Sequence, residues 1–467
     1  IEKYYSGVIE QIYNRIGKET RNIVMANYSN DFSIENLEVI RRYQSNEDNV
    51  FFAYSEFSYN TLVGAYEPFL DIICNMHRRF IGGSFDDFQK ECGVYYLHRQ
   101  VLNSYYETGE CFREETVLLN EVAYEQRRMT MAIADMLKKL SEVKPLMIVI
   151  NRFQMASKSS IETIKYLIDN PCANIGIVLG VNAIVKGTDS TVEVWDRIVE
   201  SLEDRSAIYY IGSAGPLKNN VKTTNDDELY ITMNFEQSIQ EASNIMEFLD
   251  FEQARRGCRI IEHKLKFEDA WIDEKSLRRF YMVYARTSVL LGEMSKAIEL
   301  TNEYKALIPE NDSEHYLSLY YFMKGTCYMY QGKLEKAGNS AKSAYDYAVL
   351  AEDDTLIFKA ELLSVMIKMS GWYNIFFCVQ DIPVSDEIIE KLIKHGYRNH
   401  LAHIYIYAYD NSRDVVKQSF YDESLLKHFT KGLELAKEIG NEQLVYDAYQ
   451  KTIMLASTSG LNEIAFL

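Results

Sequence analysis

The sequence predicts two architectures in series: α/β, with a doubly wound parallel sheet, and then all-α, as a helical solenoid. Three observations carry this prediction. Short β-branched runs alternate with helical stretches up to about residue 235, no convincing strand follows residue 237, and the later part resembles itself at a spacing near 40 residues.

The strand candidates are "NIVMA" (22–26), "VFFAY" (50–54), "LMIVI" (146–150), "IGIVLGV" (175–181), "AIYYIG" (207–212) and "LYITMNF" (229–235). Runs bounded by polar segments and separated by helices belong to a mostly parallel sheet covered on both faces. Ahead of the third run, Met129, Ile133, Met136, Leu137 and Leu140 form one apolar stripe of a helix. Behind it, Ile161, Ile164 and Ile168 share one face of the next helix.

The second part reads as repeated helix pairs. "LLGEMSKAIELTNEYKALIP" (290–309) and "YQGKLEKAGNSAKSAYDYA" (330–348) share a Gly followed five residues later by Ala, and "MSGWYNIFF" (369–377) keeps only the Gly. Gly292, Gly332 and Gly371 lie 40 and 39 residues apart, which points to a helical solenoid. The first copy carries Ala285, Gly292, Ala297 and Pro309; the second carries Gly325, Tyr328, Gly332, Ala337 and Ala344. Small residues at these positions let paired helices approach closely. The stretch 428–460 has the same texture, and only 6 prolines interrupt the chain.

Composition removes several function classes. With 467 residues, two or three domains are expected. Fifty basic against 68 acidic residues give a net charge of −18, the wrong sign for a grip on nucleic acid, so no direct nucleic-acid binding is expected. "RRF" (78–80) and "KSLRR" (275–279) read as solvated helix faces. No apolar stretch approaches the roughly 18–20 residues that span a bilayer, so no membrane association is expected. The seven cysteines are scattered without a CxxC, as for reduced thiols in a cytoplasmic protein. No leader is visible and Ile1 is not an initiator Met, so domains are expected beyond these residues.

Four segments, in order, resemble the nucleotide-binding domain of the signal-transduction NTPases with numerous domains, an AAA-like P-loop group in which such domains are paired with tetratricopeptide-like repeats. "IVMA" stands where the strand into the phosphate loop lies, and "VGAYEPFLDII" (63–73) resembles a segment after the second strand. "MAIADMLKKLSEVKPLMIVINRFQMAS" resembles the helix and metal-binding strand, and "LYITMNFEQSIQEASNIM" (229–246) the segment entering the helical lid. The resemblance covers roughly residues 10–250. It implies a P-loop-like domain over 1–236, a helical lid or linker over 237–272, and TPR-like repeats over 273–467. In that family an output domain accompanies the pair: a DNA-binding helix-turn-helix, a cyclase or a kinase. The family's winged-helix segment has no counterpart before the repeats.

The departures from the family pattern fall on the chemistry. After Ala26 the chain reads "NYSNDFSIENL", without the glycines that wrap phosphates and without the phosphate-binding Lys. The Lys position becomes Ser33 or Ile34, and the Mg²⁺ hydroxyl position Ile34 or Glu35. The two acids expected after the third strand are Asn151 and Arg152, and a guanidinium there repels a metal ion. The Asp expected next is Ser157, and an Arg near the end of the fourth strand is Ala183. The expectation is a pseudo-ATPase that needs no cofactor, in which Asn27, Ser29, Asn30, Ser33, Asn151 and Arg152 line a degenerate pocket. The bland reading of these is polar loop residues; the sharper one is a small-molecule or nucleotide site.

"HGYRNHLAH" sets His400 and His403 on one helical face, as a metal site would, but without an acid or Cys in register nearby. Packing inside the solenoid is the plainer expectation. By the repeat family's pattern, a groove for a protein or peptide partner takes Arg279, Met282 and Arg286 from the first repeat. It takes Leu319, Phe322, Thr326 and Tyr330 from the second, and Phe358, Glu361 and Val365 from the third. An aromatic and basic groove suits an acidic or apolar peptide. The sequence thus points to a non-catalytic regulatory module that binds a partner or ligand; a working ATPase and a plain repeat scaffold are the alternatives.

Overall fold

The computed structural model describes residues 1–29, 37–45, 49–58, 62–182, 192–212, 234–267, 272–370, 385–407 and 423–458. The chain divides into two units: residues 1–113 with 122–272, and residues 114–121 with 273–467.

In the first unit α1 (Glu2–Arg15) precedes β1 (Ile23–Tyr28), and α2 (Glu38–Ser45) leads to β2 (Phe51–Glu56). Helices α3 (Phe69–Met76), α4 (Phe85–Glu91), α5 (Tyr96–Thr108) and α6 (Val122–Val143) come before β3 (Leu146–Asn151). Then follow α7 (Lys158–Asp169), β4 (Ile175–Asn182), α8 (Val192–Glu203) and β5 (Ile208–Ile211). The five strands form one parallel sheet in the order β2-β3-β4-β1-β5. They fall on five of the six expected runs. Of the sixth, residues 229–233 lie outside the described residues, while Asn234 caps a helix that begins at Phe235.

The chain moves from β1 to the β2 edge and then back across the sheet. Right-handed crossovers therefore set α2 on one face and α6, α7 and α8 on the other. On the α2 side, Tyr5, Ile9 and Ile12 of α1 and Ile40 of α2 pack against Val24, Phe52, Val149 and Val178. A Cβ on Gly176 would come within 2.9 Å of Ile16 Cδ1, so α1 lies close on β4 because that position carries no side chain. The expected stripes of α6 and α7 are buried.

Helices α9 (Phe235–Glu247) and α10 (Phe251–Phe267) complete this unit. Asn244 Oδ1 accepts from the Cys111 amide at 2.9 Å, Arg113 Nη2 donates to the Glu247 carbonyl at 2.8 Å, and Gln253 Nε2 donates to the Val63 carbonyl at 2.8 Å.

The second unit holds the helices α11 (Glu274–Leu290), α12 (Met294–Ala306), α13 (Ser313–Tyr330), α14 (Leu334–Leu350) and α15 (Asp354–Ser370). After the undescribed residues 371–384 come α16 (Asp386–Lys394), α17 (Arg398–Tyr407), α18 (Glu423–Ile439) and α19 (Glu442–Thr458). One helix stop recurs. At Gly292 the amide returns to the Val289 carbonyl and that of Glu293 to Ser288; at Gly332 the partners are Met329 and, for Lys333, Tyr328. This doubled closure requires a left-handed residue, and both glycines supply it with φ of 77° and 70°. The recurring glycine is therefore the sequence trace of the turn within a helix pair. Gly371 lies outside the described residues. A Cβ on Gly325 would meet Leu363 Cδ2 at 3.0 Å and Ser340 Cβ at 3.4 Å, so α13, α14 and α15 converge where the small residues lie. No helix among the described residues is long and apolar enough to cross a membrane.

Candidate functional site

Open α/β sheets place ligands beyond the carboxyl ends of their strands. Here those ends carry a polar network. The Tyr28 hydroxyl, at the tip of β1, donates to Asn151 Oδ1 at 2.6 Å. Asn151 Nδ2 donates to Glu56 Oε1 at 3.2 Å, and Glu56 Oε2 accepts from the Tyr54 hydroxyl. Arg152 stands in the left-handed region with φ 54°, and its Nη1 lies 3.2 Å from Glu56 Oε1. Its guanidinium is therefore matched by a carboxylate from β2 instead of standing bare. Asn151 is fully buried.

Asn27, also at the end of β1, is buried, and its side-chain oxygen has no hydrogen-bond partner among the described residues. Ser29 follows the strand; Asn30, Ser33 and Ala183 lie outside the described residues. Ser157 serves as the N-cap of α7, accepting from the Ser160 amide, and its hydroxyl lies 3.0 Å and 2.9 Å from those of Ser159 and Ser160. A capping hydroxyl thus occupies the position where the sequence resemblance leads to the expectation of an acid.

A cavity of about 340 Å³ opens at the same end, lined among others by Glu56, Glu67, Asp71, Glu241, Tyr105 and Phe248, with no lysine or arginine in its described wall. Burial, then the charges of Glu67 and Asp71, push the Glu241 carboxyl up to about 7. Burial and Asp71 also raise Glu67, against a hydrogen bond from the Gly64 amide. The sequence marked 63–73 only through its resemblance; that Glu67 and Asp71 face Glu241 from α9 is a tertiary fact that spacing does not encode.

In the helical unit the expected groove positions are unequal. Arg279 is exposed on α11, with Met282 and Arg286 half-buried. Leu319, Phe322 and Thr326 are half-buried on α13, and the Thr326 hydroxyl donates to the Phe322 carbonyl at 3.0 Å. Glu361 pairs with Lys391 at 2.7 Å. Phe358 and Val365 correct the expectation: both are core. Phe358 stacks on His395 at 4.6 Å and meets Tyr397 edge-on, because α16 and the turn into α17 cover that side of α15.

The feature that the sequence hides is the segment Glu114–Glu121, which belongs to this helical unit although it precedes α6. Glu115, Val117 and Leu118 are buried while Glu114 and Thr116 are exposed, and a short 3-10 turn (Leu119–Glu121) ends the segment. Glu115 Oε1 lies 2.6 Å from both the His400 amide and His400 Nδ1, and the Asn399 amide reaches Oε2 at 3.4 Å, all in the first turn of α17. A helix start supplies unpaired amides and a positive dipole end for such an acid. Glu121 takes His403 Nε2 at 2.9 Å, Asn441 Nδ2 at 2.8 Å and Asn399 Nδ2 at 2.8 Å. Burial raises the Glu121 carboxyl, but the His403 charge and the hydrogen bonds from His403, Asn441 and Asn399 outweigh it and hold it at about 2. The Tyr397 hydroxyl donates to the Glu114 carbonyl at 2.6 Å, and the Leu119 amide donates to the hydroxyl of Tyr330, an expected groove residue, at 3.3 Å.

The acids that the sequence reading found missing beside "HGYRNHLAH" thus come from some 280 residues away. No group of three His, Cys, Asp or Glu side chains is arranged to hold a metal ion among the described residues. No protein-family model matches this chain, and no curated protein matches it in sequence.

Proposed function

We propose that the chain is a cytosolic, non-catalytic regulatory module. A P-loop-like domain without ATP hydrolysis is joined to a TPR-like helical array, which binds a protein or peptide partner and controls an output domain beyond these residues. The observation that carries this reading is the polar network of Tyr28, Asn151, Glu56 and Arg152. Phosphoryl transfer works by positioning and by neutralising charge, with Mg²⁺ and a Lys set against the phosphates. At this edge the positions expected to hold the metal are an amide and a guanidinium already committed to neighbours. The adjoining cavity adds Glu67, Asp71 and Glu241, whose charges oppose a triphosphate.

The free thiols of the six described cysteines fit a reducing compartment. The helical unit supports the binding half of the reading through its paired helices and its buried acid-holding groups. An ATP-turnover assay with and without Mg²⁺ tests the catalytic half. The expected result is no metal-dependent phosphate release above the buffer rate; steady, metal-dependent turnover overturns the reading.

A further inference from the structure

We propose that Glu114–Glu121 is a built-in occupant of a peptide-reading site in the helical unit, and that the partner which displaces it is a linear peptide with two carboxylates six residues apart. This rests on the reading of the helical unit as a binding module and names its partner by chemistry.

The argument starts from what the receptor side would lose without its occupant. Two histidine rings, two asparagine amides and the first amides of α17 converge on Glu115 and Glu121. His400 and His403 are each less than 5% exposed, and Asn399 and Asn441 less than 2%. Donors buried to that degree are costly without acceptors, so the site selects an acid at each end. An apolar or basic peptide fails that requirement.

From the first acid to Leu118 the segment runs without helix or strand, and the 3-10 turn over Leu119–Glu121 brings in the second acid. Alternate side chains enter from Glu115 to Val117, and the backbone is held by the Tyr397 hydroxyl at the Glu114 carbonyl, just ahead of the first acid, and by the Tyr330 hydroxyl at the Leu119 amide. Backbone held by side-chain hydroxyls, with specificity from pockets at fixed spacing, is how a docked linear ligand is recognised. The segment is also tethered at both ends, since Arg113 and Val122 belong to the other unit. Tethering gives it a high effective concentration, so a free competitor binds weakly until the internal copy is loosened. His403 Nδ1 is buried with no hydrogen-bond partner among the described residues, so a competitor with a polar group that pairs with it has a further bond to gain.

The test uses the full chain and a tagged synthetic peptide of residues 113–122. Wild-type protein, Glu115→Gln/Glu121→Gln protein and Tyr397→Phe protein are titrated by fluorescence anisotropy, and hydrogen exchange of residues 114–121 is followed. The double variant is expected to bind the peptide at least tenfold more tightly than wild type. A peptide carrying Gln at both acid positions is expected to bind that variant at least tenfold more weakly. In wild type, excess peptide is expected to speed exchange in 114–121.

Equal binding of the acid and Gln peptides overturns the proposal, as does a folded double variant that binds neither. If the double variant does not fold, Tyr397→Phe decides, because it keeps both acids and all the groups that hold them. Exchange in 114–121 that quickens further with peptide supports the proposal, and exchange indifferent to saturating peptide overturns it. ATP turnover on the same samples separates the two readings: a peptide that fails to bind removes this inference, while metal-dependent hydrolysis removes the non-catalytic reading.

Discussion

Glu121 in the helical unit and Glu241 in the α/β unit are both withdrawn from water, yet their acidities move in opposite directions. Glu121 meets a histidine and two amides and is held at about 2; Glu241 meets Glu67 and Asp71 and is raised to about 7. Burial disfavours both charged forms, so the neighbours decide the sign. The helical unit has built a place where carboxylates are welcome. The α/β unit, at the end of its sheet, has built one where additional negative charge is not.

Breaking the favourable side of this contrast should have the largest effect. Glu121→Ala leaves His403, Asn399 and Asn441 facing a void, and losing one partner of a buried ionic network costs about 3–5 kcal/mol. Chemical denaturation followed by a probe on α17 measures it. Next comes acid. A carboxyl held at about 2, against an ordinary value of 4.5, binds its proton more readily in the unfolded chain. Its stabilisation is complete above the unfolded value and drains as pH falls through 4.5 toward 2, about 3 kcal/mol in all. Glu121→Gln should flatten that part of the pH profile.

Gly325→Val sharpens the packing side of the account. The added carbons push into Leu363 and Ser340 where three helices converge, at a cost of about 1–3 kcal/mol. The same change at Gly338, inside α14 with nothing within 4 Å of its Cβ position, should instead gain the few tenths of a kcal/mol by which helix propensity favours Val over Gly. A further effect has the opposite sign. Glu241 binds its proton more readily when folded, so it weakens the fold as pH rises from 4.5 to about 7. Glu241→Gln should raise the melting temperature at pH 8 and leave it unchanged at pH 4.

How much of this was legible in the sequence follows the same division. The sheet was readable because buried parallel strands are uninterrupted apolar runs, as in Leu146–Ile150, and because Ile161, Ile164 and Ile168 mark a helix face. The edge network was half legible: the unusual Asn151 and Arg152 stood out, but their partner Glu56 lies on another strand and gave no local signal. Gly292 and Gly332 announced the helix pairs because one residue type satisfies one turn geometry. Phe358 misled, since an aromatic on a helix looks the same whether it faces a groove or the next helix. Of the acid-holding cluster only the histidines were legible, because each carboxylate is some 280 residues from its histidine. The alternation in "EETVLLNE" was the one available hint, and it is too short to distinguish from a loop.

The most direct measurement of the central claim is a calorimetric titration of Mg²⁺–ATP into the full chain. With the positions at the strand ends occupied by a tyrosine, an asparagine and an arginine paired to Glu56, the expected result is no heat beyond dilution up to about 1 mM nucleotide. A saturating isotherm in the micromolar range that vanishes when Mg²⁺ is withheld would contradict it.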